Sequence, residues 1–157
     1  MHCRCFNELE VTGPEREINR FLVNAWGWVP SEDESAEKEV AFSLNVLAPF
    51  PSETPGERIL SWLGDIHPSP DWCLENWGTR RDVIEVSHIE RPSDRCVIIA
   101  FETAESPPTT AFTNRIAPDF PDLSFCLRFE EGGAGFAGEW EWKHGRLVRQ
   151  DDLSDEQ

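Results

Sequence analysis

Basic residues are scarce in this sequence, and their scarcity excludes a large class of functions. Fourteen Lys and Arg stand against 30 Asp and Glu among 157 residues, a formal net charge of −16 at pH 7. A surface with this charge repels the phosphate backbone of nucleic acids. Direct binding of nucleic acid is therefore not expected.

Long apolar runs are also missing. No segment approaches the roughly 18 consecutive apolar residues that a membrane-spanning helix needs. The first five residues contain no apolar signal core. We therefore predict no membrane partner and a cytoplasmic location, where the odd number of five cysteines is expected to stay reduced.

The cysteines lack the spacing of metal and iron–sulfur sites. Cys3 and Cys5 are one residue apart, while Cys73, Cys96 and Cys126 are scattered, so the sequence has no CxxC pair. A cluster needs several thiolates on a tight loop, and a structural zinc site needs two close pairs of ligands. The sequence therefore predicts no metal and no cofactor.

No catalytic residue stands out either. A nucleophilic mechanism needs a Cys or Ser beside a His and an acid. Cys73 follows His67 and Asp71 closely in the sequence, but this does not place the three side chains in contact. The glycine-rich segment 132–135 has no Lys and no following helix, so it is not a phosphate loop. An enzyme is the less favoured class.

Tyrosine is absent, so the large rings that form the core must come from seven Trp and ten Phe. The length fits one domain with a single core. We predict a domain over residues 1–150 with an acidic loop at 31–39 and an insertion at 49–81, followed by an acidic tail at 151–157. Loop and tail each carry a net charge of −4, which leaves −8 for the folded body.

Apolar periodicity predicts the order of the elements. Strands are predicted where alternate residues are apolar, at 4–11, 40–46, 83–89, 96–101, 123–129 and 136–142. Helices are predicted at 15–26, at 57–65, and from Pro107 to Pro118 with Ser106 as the N-cap. This order predicts an α+β fold of the ferredoxin-like, split βαβ kind, with a mainly antiparallel sheet, helices on one face and the insertion.

Short motifs along most of the chain resemble those of the YubB ferredoxin-like domain family, small proteins of plasmids, phages and bacteria. In order, the motifs are Cys5-Phe6-Asn7, Leu9-Glu10-Val11-Thr12-Gly13, Phe42-Ser43-Leu44-Asn45, Trp72, Glu75-Asn76-Trp77-Gly78-Thr79, Phe101-Glu102-Thr103-Ala104, Ser106-Pro107-Pro108, Phe120-Pro121-Asp122-Leu123 and Gly135-Phe136-Ala137-Gly138. The resemblance implies the fold and a mobile-element origin, but no activity. The chain has Glu105 where the family usually has an aromatic residue, and Arg80-Arg81 in place of Lys-Trp.

The segment 72–81 holds the main candidate site residues. Trp and Arg are the residue types that anchor interfaces, and the segment contains two of each, namely Trp72, Trp77, Arg80 and Arg81. Its other polar and flexible positions suit a hydrogen-bonded loop, namely Asn76, Gly78 and Thr79. Two interpretations remain open, a structural loop that fixes the insertion to the sheet and a recognition surface.

Three functional hypotheses follow. The leading one is a non-enzymatic, acidic interaction protein of a mobile element, whose partner is a basic surface of a host or defence protein, with mimicry of nucleic-acid charge as its extension. The alternative is a small enzyme or ligand-binding domain with a pocket near Asn7, Asn45, Asn76 and Trp77, and Glu105 is a further candidate contact. The third is a homo-oligomer formed through the sheet face or edge.

Overall fold

Strand β1 and helix α1 form where the sequence predicts them. The computed structural model, which describes residues 4–30, 37–50, 68–131 and 136–154, has β1 at Arg4–Thr12 and α1 at Glu15–Ala25. Every second side chain of β1 is buried, and Ile18, Phe21 and Ala25 are buried at helical spacing in α1. Both local predictions are confirmed.

The other described elements are mostly strands. They are β2 (Gly27–Pro30), β3 (Glu37–Val40), β4 (Glu85–Ser93), β5 (Cys96–Ala104), β6 (Ser124–Glu131), β7 (Phe136–Lys143) and β8 (Arg146–Ser154). The helical segments are α2 (Leu44–Leu47), α3 (Pro70–Trp77), α4 (Thr109–Ala111), a π-helical turn (Phe112–Ile116) and α5 (Ala117–Asp119). Among the described residues, no helix has the length and apolar character that crossing a membrane requires.

Six strands form one sheet in the order β4-β5-β1-β6-β7-β8, and every pairing in it is antiparallel. Strand β1 is central, because it pairs with β5 from Arg4 to Thr12 and with β6 from Phe6 to Thr12. Strands β2 and β3 pair with each other in a separate antiparallel sheet.

The prediction of an α+β, ferredoxin-like split βαβ fold with helices on one face is wrong. The described residues form a six-stranded antiparallel sheet with few and short helices, whereas a split βαβ unit has four strands. The alternating residues 136–143 form β7, which pairs with β6. Strand β8 then pairs with the other side of β7, so the sheet extends two strands beyond β6. The helix predicted from Pro107 to Pro118 is present as a continuous helical stretch from Thr109 to Asp119, with a π-helical turn at its centre, and Pro118 lies inside its last turn rather than ending it.

The strand predicted at 40–46 is also wrong. Residue 40 ends β3, and helix α2 begins at Leu44. The Asp82 carboxylate accepts hydrogen bonds from the Ser43 hydroxyl and from the N–H groups of Leu44 and Asn45. These bonds satisfy the amide donors that open a helix, which favours α2 over an extended strand.

Two acidic segments contain more regular structure than predicted. Residues 37–39 of the acidic loop belong to β3, and residues 151–154 of the tail belong to β8. The rest of that loop and the helix predicted at 57–65 lie outside the described residues.

Aromatic rings connect α1 to the sheet. The Phe21 ring lies 5.3 Å from Phe120, 5.5 Å from Phe125 and 6.3 Å from Phe42, measured between ring centroids. The alternation predicted at 123–129 is confirmed, because all four of its apolar residues are buried, namely Leu123, Phe125, Leu127 and Phe129. Phe21 therefore holds the helix, the sheet and the turn after α5 in one core.

We expect Phe21→Ala to lower the free energy of unfolding by about 3–5 kcal/mol, because it removes a fully buried ring and leaves a cavity. Urea unfolding followed by circular dichroism measures the change. Val23→Ala is the matched control in the same helix, since Val23 is 77% exposed, and we expect it to stay within about 0.5 kcal/mol of wild type. Equal losses in the two variants would contradict this account of the core.

Candidate functional site

Trp72, Asn76 and Trp77 lie in helix α3 and make internal contacts. Trp77 is 1% exposed, and its Nε1 donates to the Ala48 carbonyl oxygen at 2.8 Å. Trp72 packs edge-on against Trp77 and against Phe50, with ring centroids 5.4 and 5.3 Å away. The Asn76 side chain donates to the Trp72 carbonyl oxygen at 2.9 Å. These contacts fix α3 to the segment after α2.

Gly78 and Thr79 attach the end of α3 to the end of β5. Gly78 ends the helix with φ +91, a conformation that favours glycine. Its carbonyl oxygen accepts a hydrogen bond from the Ser106 hydroxyl at 2.6 Å, so Ser106 does not cap a helix as the sequence predicts. The buried Thr79 hydroxyl donates to the Ala104 carbonyl oxygen at 3.0 Å.

Arg80 and Glu105 form an ion pair, with Arg80 Nη1 3.1 Å from Glu105 Oε2. The half-buried Arg81 follows directly. The two side chains are 47% and 40% exposed, so this ion pair is in contact with solvent and contributes little to stability.

Asn7 and Asn45 also bind within the chain. Asn7 is buried in β1, and its Nδ2 donates to Thr103 Oγ1 at 3.0 Å and to the Cys5 carbonyl oxygen at 3.2 Å. Asn45 Oδ1 accepts from the Phe50 N–H at 2.9 Å. The residues proposed for a pocket thus make hydrogen bonds within the fold, and those from Asn7 to Thr103 and from Trp77 to Ala48 join different parts of the chain.

Asp82 is a buried carboxylate that sequence reasoning missed. Its Oδ1 accepts from the N–H groups of Leu44 and Val83, both at 2.7 Å, and its Oδ2 accepts from Ser43 Oγ at 2.8 Å and from the Asn45 N–H at 3.1 Å. Burial raises the pKa of Asp82 above its ordinary value, although the four hydrogen bonds oppose this shift. Among the described residues it has no ion-pair partner. Asp82 therefore organises the segment that begins α2.

One side of the sheet, here named the open face, is defined by Phe6, Glu8 and Glu10 of β1 and by the residues paired with them. Side chains alternate across a strand, so partners in register share a face. Across the strands β5, β1, β6, β7 and β8, the charged residues of the open face are Arg4, Glu8, Glu10, Glu102, Arg128, Glu130, Glu139, Glu141, Lys143, Arg146, Arg149 and Asp151. Seven carboxylates thus share the face with four arginines and one lysine.

Arginines of the open face bridge neighbouring strands. Arg128 pairs with Glu8 and with Glu139, both at 3.2 Å. Arg149 pairs with Glu139 and Glu141 at 3.2 Å. Arg128 and Arg149 thus each pair with two or more carboxylates, and the open face still carries more carboxylates than basic residues.

Cys126, Glu139 and Glu141 bring three ligand atoms within 4.8 Å of one another on the open face. Cys126 Sγ donates to Glu139 Oε2 at 3.2 Å, and the same carboxylate pairs with two arginines. Burial and the Glu139 carboxylate raise the pKa of Cys126 to about 12. The thiolate that a metal or an electrophile needs is therefore scarce at neutral pH.

The other described cysteines also have raised pKa values. Burial raises the pKa of Cys5 and of Cys73 to about 12, and that of Cys96 is raised as well. The structure places Cys73 in α3, while His67 lies outside the described residues.

We expect Asp82→Asn to cost about 1–3 kcal/mol of stability, because the amide nitrogen replaces an acceptor that the Asn45 N–H needs. The raised pKa adds a pH dependence. Above its ordinary value of 3.8, the unfolded chain releases the Asp82 proton before the folded protein does. The stability advantage of wild type over the variant therefore shrinks as the pH rises from this value.

Urea unfolding from about pH 4 to 7 measures that trend. Asp71→Asn, which changes an exposed carboxyl at the start of α3, is the matched control. If the stability advantage of wild type over Asp82→Asn instead grows with pH, the hydrogen bonds, rather than burial, set the pKa of Asp82.

We also expect Cys126 to react slowly with maleimide at neutral pH, and Glu139→Gln to accelerate the reaction, because the neutral amide no longer disfavours the thiolate. Mass spectrometry of the labelled protein follows this site. Glu8→Gln is the control, since it also removes a carboxylate from Arg128 without touching the thiol. Equal rates in the two variants would assign the slow reaction to burial alone.

Comparisons with known proteins show the fold and no more. No family model matches the sequence, and no curated protein matches it. A crystal structure of protein api92 from Yersinia pseudotuberculosis, of the family model DUF1281, is similar with a TM-score of 0.60 over 100% of this chain and 99% of that chain. The two sequences are 10% identical, so the likeness concerns architecture alone.

Proposed function

We propose that this chain is a non-enzymatic interaction protein that binds a basic surface of a partner protein through its open face. The observation that carries the proposal is the excess of seven carboxylates over five basic residues on that face. A partner with clustered Lys or Arg would gain long-range attraction and faster association from this charge.

The acidity belongs to the folded part of the chain as well as to its ends. The described residues contain 22 Asp and Glu against 13 Lys and Arg, a net charge of −9. A charge confined to a tail would act without a defined geometry. Here the rigid spacing of the strands sets the distances between carboxylates, which supports recognition of a particular basic surface.

Phe6 supplies an apolar contact within the charged surface. It is 54% exposed in the central strand, and its partners in register are Glu102 on β5 and Glu130 on β6. Aromatic side chains surrounded by polar groups are typical anchors of protein interfaces. Phe6 therefore gives the open face a site for short-range affinity in addition to electrostatic steering.

The wider biological proposal is an accessory protein of a mobile element, acting in the cytoplasm on a host or defence protein. The resemblance to the YubB ferredoxin-like family supports this origin. A partner that normally binds nucleic acid would have the required basic surface, and the open face would then compete with phosphates for it.

We expect a partner captured from bacterial lysate in about 0.1 M NaCl to be released in about 1 M NaCl, because the Debye length falls from ~10 Å to ~3 Å. Affinity capture with the immobilised chain, followed by mass spectrometry, identifies the partner. Titration of the purified partner at increasing salt then measures the loss of affinity. A complex that is insensitive to salt would refute electrostatic steering.

Charge-reversal variants test whether the partner binds at the open face. Glu130→Lys, beside Phe6, is expected to weaken binding of that partner about tenfold or more, corresponding to 1.4 kcal/mol. Glu75→Lys, an exposed site on α3, makes the same change in net charge away from the open face. Equal effects of the two reversals would show that overall charge, and not the open face, governs binding.

A further inference from the structure

A groove of about 360 Å³ runs between β3 and β4, at the sheet edge that lies two strands from Phe6. We call it the β3–β4 groove. It is lined by Glu39, Val40, Ala41, Glu85, Val86, Ser87, His88 and Ile89. This volume lies in the range of clefts that hold ligands, roughly 300–1,000 Å³.

One wall of the groove is the free edge of the sheet. Strand β4 ends the strand order and pairs with β5 alone among the described strands. It is exposed along almost its whole length. An edge strand presents backbone N–H and C=O groups that an additional extended chain can pair with.

The floor of the groove is apolar. Val86 and Ile89 pair in register with Phe101 and Ile99, which are buried in the core, so they point to the same side of the sheet. Ile89 is nevertheless 43% exposed. Val40 is buried within the opposite wall. An extended peptide on β4 would direct an alternate side chain onto this apolar surface.

The charge of the lining residues indicates which kind of segment the groove would bind. Glu39 and Glu85 line the groove, while none of the eight lining residues is Lys or Arg. Arg4 comes within 3.8 Å of Glu85 but is bound more closely to Glu102, at 2.6 Å. The groove therefore complements an extended segment that carries basic side chains.

Irregularities in β4 limit the length of such a segment. The register shifts between Val86 and His88 and again between Glu90 and Ser93, and Pro92 has no N–H to donate. Bulges and proline protect an edge from extended pairing with a second sheet. The short stretch between the bulges suits a peptide better than the long edge of a second copy.

We propose that the β3–β4 groove binds a short, extended, basic peptide segment, which adds to β4 as a strand. An apolar side chain of the segment contacts Ile89, and flanking Lys or Arg side chains contact Glu39 and Glu85. The inference rests on the proposed function for the basic character of the partner, but it assigns a separate site.

The probe is a fluorescein-labelled synthetic peptide in which Lys and Val alternate, with binding followed by fluorescence polarisation. Wild type is expected to bind it, and Ile89→Arg is expected to weaken binding about tenfold or more. Leu74→Arg is the matched control, because Leu74 is 49% exposed on α3. Glu39→Lys, a change at an exposed side chain, should repeat the loss if Ile89→Arg disturbs folding.

A peptide with the same sequence and N-methylated backbone separates strand addition from charge attraction. It keeps every positive charge but lacks the N–H donors, and we expect it to bind at least about tenfold more weakly. Equal binding of the two peptides, or equal binding by Ile89→Arg and wild type, would overturn the proposal. So would a wild-type dimer in light scattering that Ile89→Arg abolishes, because the occupant would then be a second copy.

The Glu130→Lys variant distinguishes this proposal from the proposed function. It should bind the peptide as wild type does, because residue 130 is on β6 and outside the groove. Loss of peptide binding in Glu130→Lys would overturn the assignment to the groove. Loss of lysate-partner binding in Glu130→Lys with retained peptide binding would support two separate sites.

Discussion

The antiparallel pairing of β1 with strands on both of its sides is the constraint on which the structure depends. Because β1 is hydrogen-bonded to β5 and β6, its alternation sets the direction of side chains in three strands together. Leu9 and Val11 enter the core, while Phe6, Glu8 and Glu10 lie on the open face. A shift of one residue in β1 would exchange these two sets, so core stability and surface charge share one cause.

Sequence patterns were sufficient where one local period decided the structure. Period two located β1 and β6, and helical spacing located α1. Patterns failed where a distant residue decided it. Helix α2 depends on Asp82, which is 38 positions from Leu44, and no local period records that contact. The ferredoxin-like prediction failed at a larger scale, since the order of patterns does not give the final number of strands in a sheet.

The candidate residues near α3 illustrate the same limit. The composition of segment 72–81 left both a structural loop and a recognition surface open, and the segment contains a helix with a capped end. Ser69 accepts a hydrogen bond from the Trp72 N–H, and Gly78 closes the other end. The β3–β4 groove was not predicted, because β3 falls in a stretch whose acidic composition indicated a loop. Only the packing of two distant strands creates it.

The two bulges of β4 have a consequence for how this protein behaves in concentrated solution. A regular exposed edge is a template on which sheets of many molecules grow into fibrils, and charge repulsion is one of two barriers to that growth. Near the sequence pI of about 4.5 the repulsion disappears. The irregular backbone of β4 then remains as a barrier on this side that acidification does not remove, so the edge stays guarded across the whole range of pH in which the sheet is folded.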